Sequence, residues 1–270
     1  MTSPCADCTR GCCRNYLVTV TGYDMWVIAN GLRLAPEQFI ITVAQNTPNG
    51  RGFLLDPSAA TSYDIALDKK RVEREDKPCV FWIELDGGIG RCGIYPLRPY
   101  VCQTYPGTFV DSTQVVRRED VLCPTDAWRD GVLQRPIWRG RVLRMFVEYE
   151  IYGLAVSHWN YHVLHTPHPE YIDVPGYYAF LMSYYRRLEP IRASLSPDEW
   201  TAMCEQWCEC LAEGAGPIQR SYDRMSPWAN LLDSIRATAS GFFQDDPLPI
   251  VGATPNLETL VVGGRPTTDT

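Results

Sequence analysis

Four cysteines lie within nine residues near the start of the sequence: Cys5, Cys8, Cys12 and Cys13. Thiols at this density are typical of a metal or metal-cluster site, because sulfur is a soft donor and short spacings let one loop present several sulfurs to one centre. Adjacent cysteines seldom both bind one ion. Cys12 and Cys13 therefore belong either to two sites or to a polynuclear cluster.

Four more cysteines follow in the first half of the chain: Cys79, Cys92, Cys102 and Cys123. Eight thiols suffice for one four-iron cluster with spare cysteines, or for two four-sulfur sites. We expect a split site, in which the first cluster is completed by Cys79, Cys92, Cys102 and Cys123, which include cysteines of a loop some ninety positions away. The alternative is that several are small buried hydrophobic residues, as free cysteines often are.

The bulk composition indicates a folded globular protein that keeps its thiols reduced. The chain has 270 residues, of which 45% are hydrophobic, and it has eleven cysteines. It shows no secretory signal and no apolar run near the ~20 residues of a membrane span, so we expect a cytoplasmic protein with no membrane partner. The net charge of -7 and the pI near 5.2 argue against nucleic acid as a partner.

The first half is predicted to contain short helices and short strands. Thr21 and Asp24 form a capping box that opens a helix, Gly31 closes it, and Pro36 begins a second short helix. Strand-type composition separated by turn residues predicts a small irregular sheet. The strand segments are 17–20, 53–55, 63–67 and 80–85, with one more strand or hairpin at 109–116.

The stretch from 92 to 106 carries Cys92 and Cys102 and is predicted to be a rigid, compact loop. Gly87 and Gly88 form the turn that leads into Cys92. Three prolines between 92 and 106 allow at most a turn or two of helix before Cys102. Such a loop suits metal ligands that must be held at fixed angles.

Beyond about residue 135 the pattern becomes helical and thiols become rare. Apolar residues at helical spacing predict helices over 137–164 and 177–188, and capping signals open two more at Ser196-Pro197 and Ser226-Pro227. We therefore predict an α+β protein: a small irregular cysteine-rich metal-binding domain at 1–134 and an α-helical bundle-like domain at 135–243. Residues 244–270 are predicted to be a flexible tail.

The spacing of the cysteines, together with the residues between them, resembles a known family. The pattern CxxCxxxCC, a following helix with an early aspartate, a Pro-Cys followed by hydrophobic residues, and then CxIYxxRPxxCxxYP are similar to the YkgJ-type CxxCxxCC family of zinc- or iron-chelating proteins. The resemblance covers roughly residues 5–125. It implies metal binding by the eight cysteines and a cofactor-binding role for Tyr95, Arg98 and Tyr105, with Arg98 either stabilising a thiolate-ligated cluster or forming a salt bridge that fixes the loop.

A distant relative of that family is the flagellin lysine-N-methylase, which is similar in its first cysteine cluster and in a Cys-Pro like Cys123-Pro124. This resemblance implies an iron-sulfur cluster acting with S-adenosylmethionine, although the Arg98-Pro99 pair departs from the methylase pattern. The cysteine spacing is the reverse of the radical S-adenosylmethionine loop, and no GxGxxG follows a strand. Radical chemistry of that type and a Rossmann site are therefore not expected.

The histidines of the chain are clustered on the first long helix. His158, His162 and His165 have a spacing that places them on one face, with His168 just beyond. They are candidates for a metal ligand or proton donor, and the alternative is ordinary packing on an aromatic-rich helix. Cys204, on a later helix, is interpreted as a buried apolar residue.

These observations lead to one functional hypothesis with two alternatives. The first is a cytoplasmic iron-sulfur protein carrying a 4Fe-4S type cluster, with a transferase or oxidoreductase activity left open. The second is an S-adenosylmethionine-dependent methyltransferase similar to the flagellin enzyme. The third is a zinc-stabilised interaction module without catalysis. The partner in each case is an unidentified protein or small-molecule substrate.

Overall fold

The computed structural model describes nine stretches of the chain, numbered 11–45, 52–58, 61–73, 77–109, 114–119, 121–123, 128, 131–165 and 172–212. At residues 197 and 206–212 only the backbone is described. Cys5, Cys8, His168, the helix predicted after Ser226 and the predicted tail lie outside the described residues.

The described chain contains short strands and helices first and long helices afterwards, which confirms the α+β class. The helices are α1 Cys12–Asn15, α2 Gly22–Leu32, α3 Tyr100–Thr104, α4 Pro136–His165, α5 Val174–Ser194 and α6 Pro197–Ala212, with 3-10 turns at Pro36–Gln38, Asp86–Gly88 and Tyr95–Leu97. The strands are β1 Ile40–Ala44, β2 Phe53–Leu54, β3 Ser62–Leu67, β4 Trp82–Glu84, β5 Gly90–Cys92, β6 Gly107–Phe109 and β7 Val115–Arg117.

The described residues fall into two compact units. One contains those up to Ile41 and those between Ile65 and Met145, and the other contains those of Thr42–Asp64 and those from Phe146 onward. The domain boundary placed between 134 and 135 on the sequence stays a prediction.

The strands form three small sheets. The largest has the order β1-β3-β2, with β2 and β3 antiparallel, and the others are the antiparallel hairpins β4-β5 and β6-β7. The segment predicted as a strand at 17–20 lies beside β3, where the Val20 amide donates to the Ile65 carbonyl at 3.0 Å. This bridge attaches the chain before α2 to the sheet.

Helix α2 begins as predicted but ends differently. Thr21 and Asp24 make the capping box, with both reciprocal bonds present. Gly31 does not close the helix, which runs to Leu32 and ends at Arg33 in a left-handed conformation with φ 56°. Gly31 packs closely on the turn that contains Leu97, since a Cβ at Gly31 would lie 2.6 Å from Cδ1 of Leu97.

The β4-β5 hairpin contains a second close approach. Gly87 and Gly88 both have positive φ, as the predicted turn requires. At Gly90 a Cβ would lie 1.9 Å from Nε1 of Trp82, because the indole ring covers the glycine. The register of the hairpin pairs Trp82 with Cys92, so the position of the ring and the position of a candidate ligand are linked.

The described part of the second unit contains aromatic packing and a buried ion pair. Trp159 of α4 lies 5.2 Å from Tyr177 and 5.6 Å from Phe180 of α5 between ring centroids. Glu148, with no exposed surface, accepts from Arg192 of α5 at 2.8 Å and 2.6 Å. The predicted capping box of α6 is confirmed by reciprocal bonds between Ser196 and Glu199. Of the described helices, none has both the length and the apolar character to cross a membrane.

The Gly90→Ala variant tests the close packing of the hairpin. The added methyl group must displace the Trp82 ring, so we expect a loss of about 1–3 kcal/mol in the free energy of unfolding. Gly140→Ala is the matched control, because a Cβ at this helical position meets nothing within 4 Å and is expected to stabilise by about 0.5–1 kcal/mol. Equal effects of the two variants in urea denaturation would contradict the packing.

Removing one partner of the buried ion pair tests the core of the helical unit. Arg192→Met leaves the Glu148 carboxylate buried without its cation, and we expect a loss of about 3–5 kcal/mol in unfolding free energy. The double variant Glu148→Met with Arg192→Met should recover most of that loss. A double variant as unstable as the single one would show that the pair is not the source of the effect.

Candidate metal centre

The described thiols of the first unit come from separate segments that backbone bonds bring together. Cys12 and Cys13 lie in α1, Cys92 ends β5 and Cys102 lies in α3. The amide of Cys79 donates to the carbonyl of Cys13 at 2.7 Å. This bond joins the first cysteine segment directly to a second one, sixty-six positions later.

Arg14 ties α1 to the β4-β5 hairpin. Its Nη2 donates to Oε1 of Glu84 at 3.1 Å and to the carbonyl of Gly88 at 3.1 Å. Its guanidinium also lies 4.4 Å from the centroid of the Trp82 ring. Since the hairpin carries Cys92, these contacts position that thiol relative to Cys12 and Cys13.

Asp24 links the starts of α2 and α3. One carboxylate oxygen accepts from the backbone amide and the hydroxyl of Thr21, both at 2.9 Å. The other accepts from the amide of Tyr100, the first residue of α3, at 2.9 Å. The buried carboxylate therefore caps two helices, and it positions the helix that carries Cys102.

Two tyrosines hold the segment before Cys123. The amide of Leu122 donates to the hydroxyl oxygens of Tyr16 at 3.0 Å and of Tyr105 at 3.1 Å. The carbonyl of Cys123 accepts from Nη2 of Arg117 at 2.6 Å. Burial raises the pKa of Tyr105, so its phenol stays protonated, and both Cys12 and Cys123 act on it electrostatically.

Four thiols act on one another electrostatically. A hydrogen bond from the Cys12 side chain lowers the pKa of Cys13 to about 7, helped by the charges of Lys69 and Arg98 and opposed by burial. Burial raises the pKa of Cys79 to about 12 and also raises those of Cys92 and Cys102. The charge of Cys13 contributes to the raised pKa of each of these three thiols.

Two cations accompany the thiols. Lys69 is half-buried and its Nζ donates to the carbonyl of Tyr16. The guanidinium of Arg98 lies 3.8 Å from the centroid of the Tyr95 ring, and its Nε donates to the Tyr95 carbonyl at 3.3 Å. Tyr95 itself is exposed, so its described role is to hold Arg98.

The structure brings together many of the predicted site residues and adds others. Cys12, Cys13, Cys79, Cys92 and Cys102 share one electrostatic neighbourhood with Arg98. The sequence analysis did not predict the contacts of Arg14 and Lys69 or the second capping bond of Asp24. The contact between Lys69 and the Tyr16 carbonyl joins residues that are far apart in the sequence, so no local spacing indicates it. The scarcity of lysine in the chain looked like compositional bias.

The donor chemistry of this region fits a metal. Several soft thiol donors face positive side chains, which is the arrangement that stabilises thiolates as ligands. Among the described residues, no group of three or more His, Cys, Asp or Glu is arranged to hold a metal ion. The predicted ligands Cys5 and Cys8 lie outside those residues, and the full ligand set stays a prediction.

The histidines of α4 lie in the second unit and in different environments. His158 is buried with its ring centroid 6.2 Å from that of Tyr184, and burial lowers the pKa of His162. Nδ1 of the exposed His165 lies 2.7 Å from the Tyr161 carbonyl. A metal or proton-transfer role for these residues stays a prediction. Cys204 is buried, in agreement with its interpretation as a buried apolar residue.

The fold and the site define a cysteine-rich domain built to present thiols. Residues 4–124 match the model of the CxxCxxCC family, described as a putative zinc- or iron-chelating domain. This part of the chain is similar to that family, as its cysteine pattern predicts, and metal chelation is the property that the family description names. Comparison with curated proteins and with solved structures gives no significant match.

The Asp24→Ala variant tests how α3 is positioned. The change removes the acceptor of three donors, on Thr21 and Tyr100, so we expect a loss of about 2 kcal/mol or more in unfolding free energy. Since α3 carries Cys102, the variant should also bind metal less tightly. Glu199→Ala is the control, because it removes the carboxylate of an exposed capping box in the other unit. Metal content equal in the two variants would contradict the role of Asp24.

Proposed function

We propose that the first unit holds an iron-sulfur cluster of the 4Fe-4S type, with ligands drawn from its eight cysteines, Cys5, Cys8, Cys12, Cys13, Cys79, Cys92, Cys102 and Cys123. The observation that carries the proposal is the bond from the Cys79 amide to the Cys13 carbonyl at 2.7 Å, together with the electrostatic effect of Cys13 on Cys79, Cys92 and Cys102. These four cysteines come from four segments that hydrogen bonds hold together.

The number of thiols favours a cluster over a single zinc ion. A structural zinc site is closed by four ligands, whereas Cys12 and Cys123 lie close to the same network through Tyr105. The resemblance to the flagellin lysine-N-methylase also supports iron and sulfide. When bound, such a cluster supplies one-electron transfer or a Lewis-acidic iron.

The chain's own residues have three tasks around such a centre. Asp24 and Arg14 hold the segments that carry the ligands. Lys69 and Arg98 oppose the negative charge of the thiolates. Cys12 donates a hydrogen bond to the Cys13 sulfur, which favours the thiolate form that binds metal.

Anaerobic purification tests the proposal. The protein should be brown, absorb near 400 nm, and contain several irons with a matching amount of sulfide, as thiolate-ligated clusters do. A colourless protein holding one or two zinc ions would contradict the proposal and favour the zinc-stabilised interaction module instead.

A pair of cysteine variants tests the ligand assignment. Cys102→Ser should abolish most of the absorbance near 400 nm, because it removes one of the proposed ligands. Cys204→Ser is the matched control, since Cys204 is also buried but lies in α6 of the other unit, and its iron content should equal that of the wild type. Retention of a full complement of iron by Cys102→Ser would exclude Cys102 as a ligand.

A further inference from the structure

The start of α4 carries a concentration of positive charge. Four arginines, Arg135, Arg139, Arg141 and Arg144, lie in the stretch 131–147, which contains no Asp or Glu, and the first turn of the helix has no acidic residue. Acidic side chains are favoured at the start of a helix and cationic ones are not, because the backbone amides there carry positive partial charge, and neighbouring like charges repel. The sequence therefore keeps an electrostatically unfavourable arrangement here, as proteins often do at functional positions.

Two of these arginines lie on the outer face of the helix. Four side chains on its other face are buried: Val142, Leu143, Met145 and Phe146. The helical repeat of 3.6 residues places a different set of four opposite to them: Ile137, Gly140, Arg141 and Arg144. We call this second set the outer strip of α4. It belongs to the first unit.

The outer strip combines an apolar side chain, an open backbone and two cations. Ile137 is 59% exposed, the largest fraction among the described exposed hydrophobic side chains. A Cβ at Gly140 would meet nothing within 4 Å, so another chain can approach the helix backbone there. Among the described residues, neither Arg141 nor Arg144 forms an ion pair. The Arg141 guanidinium lies 5.4 Å from the centroid of the Trp138 ring, which helps to orient it.

We propose that the outer strip of α4 binds an acidic segment of a partner protein. Carboxylates of that segment bind Arg141 and Arg144, whose guanidinium groups match the two oxygens of a carboxylate, and an apolar side chain of the segment covers Ile137. The carboxylates also offset the repulsion among the cations at the start of the helix. The inference does not depend on the metal centre.

The size and charge of the molecule favour a short acidic segment over a larger anion. From Ile137 to Arg144 the strip is about 11 Å long at 1.5 Å per residue. The whole chain has a net charge of -7. A nucleic acid or an anionic membrane would extend beyond the strip and meet a surface that repels it. A segment of a few residues avoids that repulsion.

Fluorescence anisotropy of the full-length protein with a labelled peptide tests the proposal. The probe is a short peptide of glutamates around one leucine, and we expect binding that weakens as the salt concentration rises. Arg141→Gln and Arg144→Gln should each raise the Kd about fivefold, which corresponds to the loss of a well-formed exposed ion pair.

Two further variants separate recognition from charge and from folding. Arg186→Gln is the matched control, because Arg186 is an exposed arginine on α5 and its loss changes the net charge equally, so the Kd should stay at the wild-type value. Ile137→Glu adds an acid to the first turn of α4. It should weaken peptide binding while the melting temperature stays equal or rises, because an acid is favoured at that position.

Several results would overturn the inference. One is the absence of salt-sensitive binding of the peptide up to millimolar concentration. Another is an equal loss of affinity in Arg186→Gln and Arg144→Gln, which would place the binding elsewhere. Tighter binding to a DNA duplex or to phosphatidylserine vesicles than to the peptide would show that the partner is of another class. A lower melting temperature of Ile137→Glu would contradict the unfavourable charge at the start of α4.

Discussion

The arrangement of the first unit depends on bringing thiols from distant parts of the chain into one region. Thiolates placed close together repel one another, and burial disfavours their charge. In the described structure, hydrogen bonds from other residues hold the cysteine segments in place against this unfavourable energy. The Cys79 amide binds the Cys13 carbonyl, Arg14 binds the hairpin that carries Cys92, and Asp24 caps the helix that carries Cys102. The thiol region is thus a tertiary feature.

With the proposed metal centre, this arrangement would couple metal binding to folding. The raised pKa values of Cys79, Cys92 and Cys102 mean that their thiolates are unfavourable without a positive partner. The proposed metal centre would provide that partner, and its binding energy would then be part of the folding energy. Lys69 and Arg98 provide part of it from the protein itself. The proposed function and the stability of this unit therefore depend on the same charges.

Local features of the fold were predictable because their causes are local. The capping boxes at Thr21 and Ser196, the turn at Gly87 and the start of α4 follow from a few neighbouring residues. The predicted end of α2 was wrong, because Gly31 packs against Leu97 and does not terminate the helix. The packing of the Trp82 ring over Gly90 is likewise a long-range contact. The cysteine pattern predicted the family. It could not predict Lys69, whose role arises from tertiary contacts alone.

X-ray absorption at the iron edge of the anaerobically purified protein tests the central claim most directly, because it reports which atoms surround the metal. We expect iron with a sulfur-only coordination shell and neighbouring iron atoms, as in a cluster held by cysteines. Iron coordinated by oxygen or nitrogen without an iron neighbour, or a protein whose bound metal is zinc, would contradict it.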